Sequence, residues 1–168
     1  MRTSAFRTVR RAGVIAGLLA LMLATVASAT AGTSVGTHST KRGKVLASVH
    51  GFSLYMFQKD KKGNGKSTCY GQCAKVWPPL LSTGRPSAMR GSGLNKRMLG
   101  TIRRTDGKTQ VSYNGYPLYR WAGDSKPGDI TGEGITQSGG KWYLLNTAGN
   151  IVKPKSGGGV CNPLCPGY

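Results

Sequence analysis

A ten-residue phrase occurs twice in this chain, and any fold it adopts has to be built on that duplication. Gly51-Phe52-Ser53-Leu54-Tyr55-Met56-Phe57-Gln58-Lys59-Asp60 returns 64 positions later as Gly115-Tyr116-Pro117-Leu118-Tyr119-Arg120-Trp121-Ala122-Gly123-Asp124. The shared pattern is Gly, aromatic, any residue, Leu, Tyr, any residue, large aromatic, two of any kind, and Asp. Each copy follows a short alternating apolar run and precedes a Trp (Trp77, Trp142) that lies 17 or 18 residues beyond the Asp. Self-similarity at a fixed period states the architecture before any propensity does. Two copies predict two similar units packed together.

The local pattern of each unit is that of a hairpin. Thr109–Tyr113, then Asn114-Gly115, then Tyr116–Trp121 reads as strand, two-residue turn and strand, because both turn residues need positive φ. Asp106-Gly107 turns the chain between residues 100–104 and 108–113, and Gly149-Asn150 does so between 142–145 and 151–153. In the first unit Val45, Ala47 and Val49 alternate with Leu46, Ser48 and His50, and His50-Gly51 marks a tight turn. No stretch after the leader shows a helical period. The fold class this implies is all-β: two hairpin-based pseudo-repeats in a small antiparallel sheet or barrel-like domain, stapled by disulfides.

A two-residue turn sets the register, and the register sets the faces. Around Asn114-Gly115, Tyr113 should oppose Tyr116, Val111 Leu118 and Thr109 Arg120, with Gln110/Tyr119 and Lys108/Trp121 on the other face. The same closure at His50-Gly51 pairs Val49 with Phe52, Ala47 with Leu54 and Val45 with Met56, leaving Leu46/Tyr55 and Lys44/Phe57 opposite. Tyr55, Phe57, Tyr119 and Trp121 then share a face distinct from that of Leu54 and Leu118. A half-exposed hairpin normally has one apolar face, and these have two. Two readings are open for the aromatic face. It packs the two units together, or it is a ligand platform made of Tyr55, Phe57, Asp60, Tyr119, Trp121 and Asp124.

The address is written at the N-terminus. Arg2, Arg7, Arg10 and Arg11 precede an uncharged apolar run to about Val26, and Ala27-Ser28-Ala29 is an A-x-A cleavage site. Residues 1–29 thus read as a secretory signal peptide, too short in its apolar run to span a membrane, so the expected mature protein has no transmembrane span. No Cys follows the run, so no lipid anchor is expected there. Residues 30–43, rich in Gly, Thr and Ser without periodicity, read as a disordered lead-in, which makes His38 a poor candidate for a positioned ligand. The two-repeat domain is expected over 44–153, as repeats 44–83 and 100–153, followed by a Cys-containing tail over 154–168.

Removing the leader leaves 20 Lys+Arg against 5 acids. Outside the cytosol such a balance points to anionic envelope polymers or lipid head groups, or simply keeps the surface solvated. The basic residues are scattered and no nucleic-acid motif accompanies them, so no specific nucleic-acid partner is expected.

Four Cys in an exported chain read first as two disulfides. Cys69 and Cys73 are four apart, as are Cys161 and Cys165, and three connectivities are possible. A five-residue loop contributes about 2 kcal/mol by loop entropy and a Cys69–Cys161 link about 4.6 kcal/mol. Energy favours crossing, while proximity favours local pairs. A four-thiolate metal site is the rival reading.

Little in the composition supports catalysis. With only His38 and His50, and no Gly-x-Ser-x-Gly elbow, a Ser-His-Asp arrangement is not expected. Glu133 is the only Glu, so a glycosidase would need an Asp as its second carboxylate. Asp60 and Asp124 end their phrases where Asp commonly bonds turn N–H groups. The alternative is a cation site. Asp124, Asp129 and Glu133 share one Gly-rich loop whose carboxylates and carbonyls would suit Ca²⁺, although the spacing is not that of the twelve-residue helix–loop–helix calcium pattern. A soft-metal or redox role could draw on Met56, Met89, Met98, His50 and the cysteines, residues that elsewhere fill cores.

The phrases Tyr55-Met56-Phe57-Gln58-Lys59-Asp60 and Tyr119-Arg120-Trp121-Ala122-Gly123-Asp124 carry a resemblance. With them stand Cys69-Tyr70-Gly71-Gln72-Cys73-Ala74-Lys75-Val76-Trp77-Pro78-Pro79-Leu80 and Leu99-Gly100-Thr101-Ile102-Arg103-Arg104-Thr105-Asp106-Gly107. Asp124-Ser125-Lys126-Pro127-Gly128-Asp129-Ile130-Thr131-Gly132-Glu133-Gly134 completes the set. From about Lys44 to Gly149 the chain resembles the bacterial secreted-repeat family of unknown function, described as lipoproteins with a Tyr-x-(Phe/Trp/Tyr)-x-x-Asp motif. The resemblance implies an exported envelope protein with two repeats and no established activity. This chain departs in lacking the lipobox Cys. Cys69 and Cys73 fall inside the resemblance and Cys161 and Cys165 outside it, which favours two local bridges. The expectation is a secreted, non-catalytic binding module of unknown ligand; the alternative is a protein that holds a metal or redox cofactor on the acidic loop or the cysteines.

Overall fold

The computed structural model describes residues 32–152. The expected signal peptide, the tail and its Cys161 and Cys165 lie outside the described residues. Ten strands occur in order: β1 (Ser34–Thr40), β2 (Gly43–Ser48), β3 (Tyr55–Phe57), β4 (Ser87–Ala88), β5 (Leu99–Arg103), β6 (Thr109–Tyr113), β7 (Tyr116–Pro117), β8 (Thr136–Gln137), β9 (Gly140–Leu145) and β10 (Ile151–Val152). The strands form three small sheets, and the helical elements among the described residues are one short helix, α1 (Gln72–Val76), and a 3-10 turn at Lys96–Met98. No helix among the described residues is long and apolar enough to cross a membrane.

Three of the four sequence-read turns close as expected. Asn114 (φ 48°) and Gly115 (φ 81°) place Tyr113 opposite Tyr116 and Ser112 opposite Pro117. Asp106-Gly107 joins β5 to β6, and Gly149-Asn150 joins β9 to β10. The fourth differs. The Ser48 carbonyl accepts from the Gly51 N–H at 2.9 Å, the Ser48 N–H donates to the Phe52 carbonyl at 2.8 Å, and Gly51 sits at φ 80°. This is a tight turn closed by a left-handed glycine, one residue longer than a two-residue closure. Ala47 therefore opposes Ser53, not Leu54. A one-residue slip turns every β2 side chain to the other face. Leu46 packs with Leu54 and Met56, and Val45 with Tyr55 and Phe57, the reverse of the expectation.

The expected disordered lead-in over residues 30–43 also needs correction, because β1 occupies Ser34–Thr40. It turns at Lys41-Arg42 and pairs with β2 from Val35↔Ser48 to Thr40↔Gly43. Its sequence lacks an apolar rhythm, but the ladder satisfies its backbone and Val35 is buried in the core. Pairing overrides pattern here. His38 is thereby positioned, with Nε2 3.0 Å from the Ser53 hydroxyl.

Isolated bridges link the sheets into one succession. Val45 bridges Asn146 just past β9, Tyr55 in β3 pairs with Leu144 in β9, Tyr55 also bridges Tyr119, Tyr119 bridges Pro79, and Leu81 bridges Gln110 in β6. Read along this path, the order is hairpin β1–β2, the Trp142 strand, the Tyr55 strand, the Tyr119 strand, the Trp77 segment and hairpin β6–β5. The order is the same from either end, so the repeats are related by a pseudo-twofold axis between Tyr55 and Tyr119. On that axis the Tyr55 N–H donates to the Tyr119 carbonyl at 2.8 Å and the Tyr119 N–H returns the bond at 2.9 Å.

Each hairpin starts as a pair with its own signature strand and then opens. The other repeat's Trp segment is wedged into the gap. In repeat two, the Leu80 N–H donates to the Leu118 carbonyl at 2.9 Å and the Val111 N–H to the Leu80 carbonyl at 2.8 Å. The expected Gln110/Tyr119, Thr109/Arg120 and Lys108/Trp121 pairs are accordingly replaced: Leu81 faces Gln110, and the Arg120 N–H donates to the Pro78 carbonyl. The units are interlocked rather than stacked side by side.

Two cores result, divided as the sequence pattern divides the faces. Leu54, Met56 and Leu118 join Val35, Leu46, Val111, Tyr113 and Leu145 in one. Tyr55, Phe57 and Tyr119 join Val45, Trp77, Trp142, Leu144 and Cys69 in the other, with Trp121 packed against it.

Candidate functional site

The six candidate ligand-binding residues meet at the pseudo-twofold axis, where the repeats exchange side chains. The Tyr55 hydroxyl donates to Asp124 Oδ2 at 2.8 Å, and the Tyr119 hydroxyl donates to Asp60 Oδ2 at 2.5 Å. Each Tyr thus bonds the Asp of the other repeat. The second oxygen of each Asp is taken locally. Asp60 Oδ1 accepts from the Thr68 N–H and hydroxyl, both at 2.7 Å. Asp124 Oδ1 accepts from the Thr131 N–H at 2.9 Å and its hydroxyl at 2.7 Å. Both carboxylates are fully occupied.

Electrostatics follows from burial. Asp60 and Asp124 are 2 % and 6 % exposed. Desolvation pushes both carboxyls above their ordinary range, and the Tyr and Thr hydrogen bonds partly oppose it. Burial and the facing carboxylate push both Tyr hydroxyls far above the usual phenol range, which keeps them as donors at any physiological pH. With every donor and acceptor satisfied, the centre is a joint between repeats and holds no free nucleophile or base.

Aromatic stacking completes the joint. Trp77 and Trp142 stack across the axis with centroids 3.9 Å apart and an interplanar angle of 1°. Phe57 caps the stack on Trp142 at 4.1 Å, and Trp121 caps it on Trp77 at 4.3 Å. These caps are the same position of the two phrases, so the large aromatic two residues after the signature Tyr closes the column at either end. Gln137 takes both indole N–H groups, one on its side-chain oxygen at 2.7 Å and one on its carbonyl at 3.2 Å. Gly132 is pressed against the column; a Cβ there would lie 2.8 Å from Trp77 and 3.0 Å from Tyr55 and Trp121. Of the six residues, only Trp121 is partly exposed, and the other five form no open platform.

The acidic loop scatters its three carboxylates instead of gathering them. Asp124 is committed to the joint. Asp129 Oδ2 accepts from the Ser125 N–H, the Ser125 hydroxyl and the Lys126 N–H at 3.0–3.1 Å. Glu133 Oε2 accepts the Leu144 N–H at 2.6 Å. Among the described residues no three His, Cys, Asp or Glu come together as a metal-holding group. The loop's turns need these carboxylates as hydrogen-bond acceptors, which is why the spacing that suggested Ca²⁺ does not converge. Met56 is in the core, Met89 is exposed, Met98 packs on the first core and His50 is exposed in its turn, so the soft donors are equally dispersed.

Cys69 and Cys73 are joined in a disulfide around the start of α1. They are therefore not a thiolate pair for a metal, and this bridge is local.

Several residues that the sequence reading passed over belong to the joint. Thr68 and Thr131 follow their Asp by eight and seven positions, a spacing legible in hindsight from the repeat alignment. Arg104 is fully buried. Its guanidinium donates to the Gln110 side chain at 2.7 Å, the Cys69 carbonyl at 2.8 Å and Ser67 Oγ at 2.9 Å, and it lies 4.3 Å from the Tyr70 ring centroid. Ser67 in turn bonds the Tyr119 hydroxyl at 2.7 Å, which ties Arg104 to the joint. In sequence, Arg103-Arg104 gives no sign that one of the two is interior.

A family model described as a secreted repeat of unknown function matches residues 36–81 and again 100–146. Those limits bracket the two interlocked units, each a hairpin, a signature strand and a Trp segment. No curated protein and no solved structure matches the chain. Covering more than half of the sequence in two copies, the match places this chain in the family of secreted repeats of unknown function.

Proposed function

We propose that this domain is a non-catalytic extracellular binding module that associates with anionic surfaces through its charge. The observation that carries the reading is the fate of the acids. Arg2, Arg7, Arg10, Arg11, Lys153 and Lys155 lie outside the described residues, which leaves 18 of the 24 cations, and 16 of these are exposed. Against them stand five carboxylates. Asp60 and Asp124 are consumed inside the joint, Glu133 is turned inward, and Asp106 and Asp129 remain near the surface. The one ion pair among the described residues joins Asp106 to the buried Arg104, so none of the exposed cations is in direct ion-pair contact with a carboxylate there. A large excess of exposed cations over exposed carboxylates attracts polyanions without a specific motif.

Cosedimentation with vesicles tests this reading. Vesicles rich in phosphatidylglycerol should retain the protein at 50 mM salt and release it steeply as salt rises, because exposed charges are screened within about 8 Å at physiological ionic strength. Phosphatidylcholine vesicles should not retain it. Equal retention by both, or none by the anionic vesicles at low salt, overturns the proposal.

A further inference from the structure

Two Asn-Gly pairs occur in the chain, Asn64-Gly65 and Asn114-Gly115. An Asn before Gly carries a latent reaction, because the next amide nitrogen can attack the side-chain carboxamide and Gly, without a Cβ, leaves the approach open. The remaining Asn residues precede Lys96, Thr147, Ile151 and Pro163, which crowd that nitrogen or, for Pro163, supply no N–H.

The fold treats the two pairs oppositely. Asn114 is pinned in its hairpin. Its N–H donates to the Met98 carbonyl at 2.8 Å and its Nδ2 to the Gly149 carbonyl at 3.0 Å. Its neighbours are close on both sides: a Cβ on Gly149 would lie 2.5 Å from Asn114 Cβ, and one on Gly115 would lie 2.9 Å from the Gly63 nitrogen. Asn64 and Gly65 are both exposed. Neither Asn64 Nδ2 nor the Gly65 N–H makes a hydrogen bond among the described residues, and no atom comes within 4 Å of where a Cβ on Gly65 would stand. Asn64 Oδ1 accepts the Lys66 N–H at 3.0 Å, a donor placed to stabilise the negative charge this oxygen gains when a nucleophile adds to Cγ.

The pseudo-twofold axis shows that a carboxylate suits this position. The Gly63 N–H donates to the Gly115 carbonyl at 3.0 Å and the Gly128 N–H to the Gly51 carbonyl at 3.1 Å, and Gly51 and Gly115 open the two phrases. Gly63 and Gly128 are therefore counterparts, and so are the residues that follow them, Asn64 and Asp129. In repeat two the carboxylate of Asp129 closes the loop, whereas in repeat one the amide stands among Lys61, Lys62 and Lys66, all exposed.

We propose that Asn64 is a self-modification site, where the folded chain deamidates through a cyclic imide closed by Gly65. The Gly65 nitrogen gives up its proton and bonds to Asn64 Cγ, the bond from Cγ to Nδ2 breaks, and Nδ2 leaves as ammonia. Water then opens the imide at either carbonyl, which restores a backbone N–H and leaves a carboxylate at residue 64, as Asp or its β-linked isomer. No oxidant or cofactor is required.

The test is incubation of the folded, disulfide-bonded mature chain in mildly alkaline buffer made with ¹⁸O-labelled water, followed by peptide mapping with tandem mass spectrometry. Residue 64 should convert first and carry the label. Asn114 should convert at least about tenfold more slowly, because it must first break two hydrogen bonds worth about 1 kcal/mol each. In denaturant the two sites should convert at rates within about twofold of each other, since the local chemistry is then the same. Asn64→Gln, which would have to close a larger and slower ring, should stay an amide at residue 64. Equal rates at the two sites in the folded chain would overturn the proposal. So would faster conversion of Asn114, or a residue 64 that stays an amide in the folded chain while the unfolded chain converts. Conversion without the label would also overturn it.

Discussion

Phe in place of Tyr55 or Tyr119 deletes one hydroxyl from the joint and leaves the ring in the core. A hydrogen bond to a charged group contributes about 1.5–3 kcal/mol. Tyr119 bonds Asp60 at 2.5 Å and Ser67 at 2.7 Å, whereas Tyr55 bonds Asp124 at 2.8 Å and only weakly accepts the Gly132 N–H at 3.3 Å. Tyr119→Phe should therefore cost about 3 kcal/mol and Tyr55→Phe about 2 kcal/mol. For a domain of this size, each kcal/mol lowers Tm by about 4 °C, so the single variants should melt about 12 °C and 8 °C early. Together they remove about 5 kcal/mol from a total of about 5–15 kcal/mol, which brings the double variant to the edge of folding. Urea unfolding followed by Trp fluorescence reads these values from the midpoint at constant slope. Tyr143→Phe is the control, since its hydroxyl makes no hydrogen bond among the described residues, and it should change stability by less than about 0.5 kcal/mol. If both joint variants stay as close to wild type as this control, the exchanged Tyr–Asp bonds do not hold the repeats together.

Two further outcomes follow from the same geometry. Because each hairpin is filled by the other repeat's Trp segment, fragments 32–98 and 99–152 should each lack near-UV ellipticity and regain it on mixing; a fragment that folds alone would refute the interlock. Burial pushes the Glu133 carboxyl up to about 7 from an ordinary 4.5, with its bond from the Leu144 N–H and the charge of Arg42 opposing. An acid raised in the fold favours folding fully below its unfolded pKa, so stability should fall as pH climbs from about 4.5 to about 7. The full shift corresponds to about 3 kcal/mol, reduced to about 1–2 kcal/mol by partial hydration of the carboxyl. Glu133→Gln keeps an acceptor for Leu144 and should flatten this decline; a variant with the wild-type slope would show that the carboxyl does not drive it.

Much of the fold is written locally. Asn114-Gly115, Asp106-Gly107 and Gly149-Asn150 each set a turn through backbone conformations that few other residues tolerate, and strand alternation then assigns Leu54 and Leu118 to one core and the aromatics to the other. The duplication announces two equivalent units. At His50-Gly51 local information is insufficient, since a glycine can close a two-residue turn or end a longer one, and the choice reverses β2. β1 has no apolar rhythm at all and becomes a strand because β2 presents it with an edge.

What tertiary structure alone decided is the exchange between repeats. Nothing near Tyr55 in the chain shows that its hydroxyl reaches Asp124 rather than Asp60, or that Pro79 rather than Gln110 lies beside Tyr119. Those contacts join residues some forty to seventy positions apart, where sequence periodicity carries no signal. They also explain the candidate site. Signature residues that could have lined a platform are instead spent on joining two half-domains that cannot cover their own aromatic faces, and Arg104, polar by composition, is drawn inside because the interlock needs its donors. The charge that remains outside was countable from the sequence, but the inward turn of three of the five opposing acids, Asp60, Asp124 and Glu133, was decided only when the chain closed on itself.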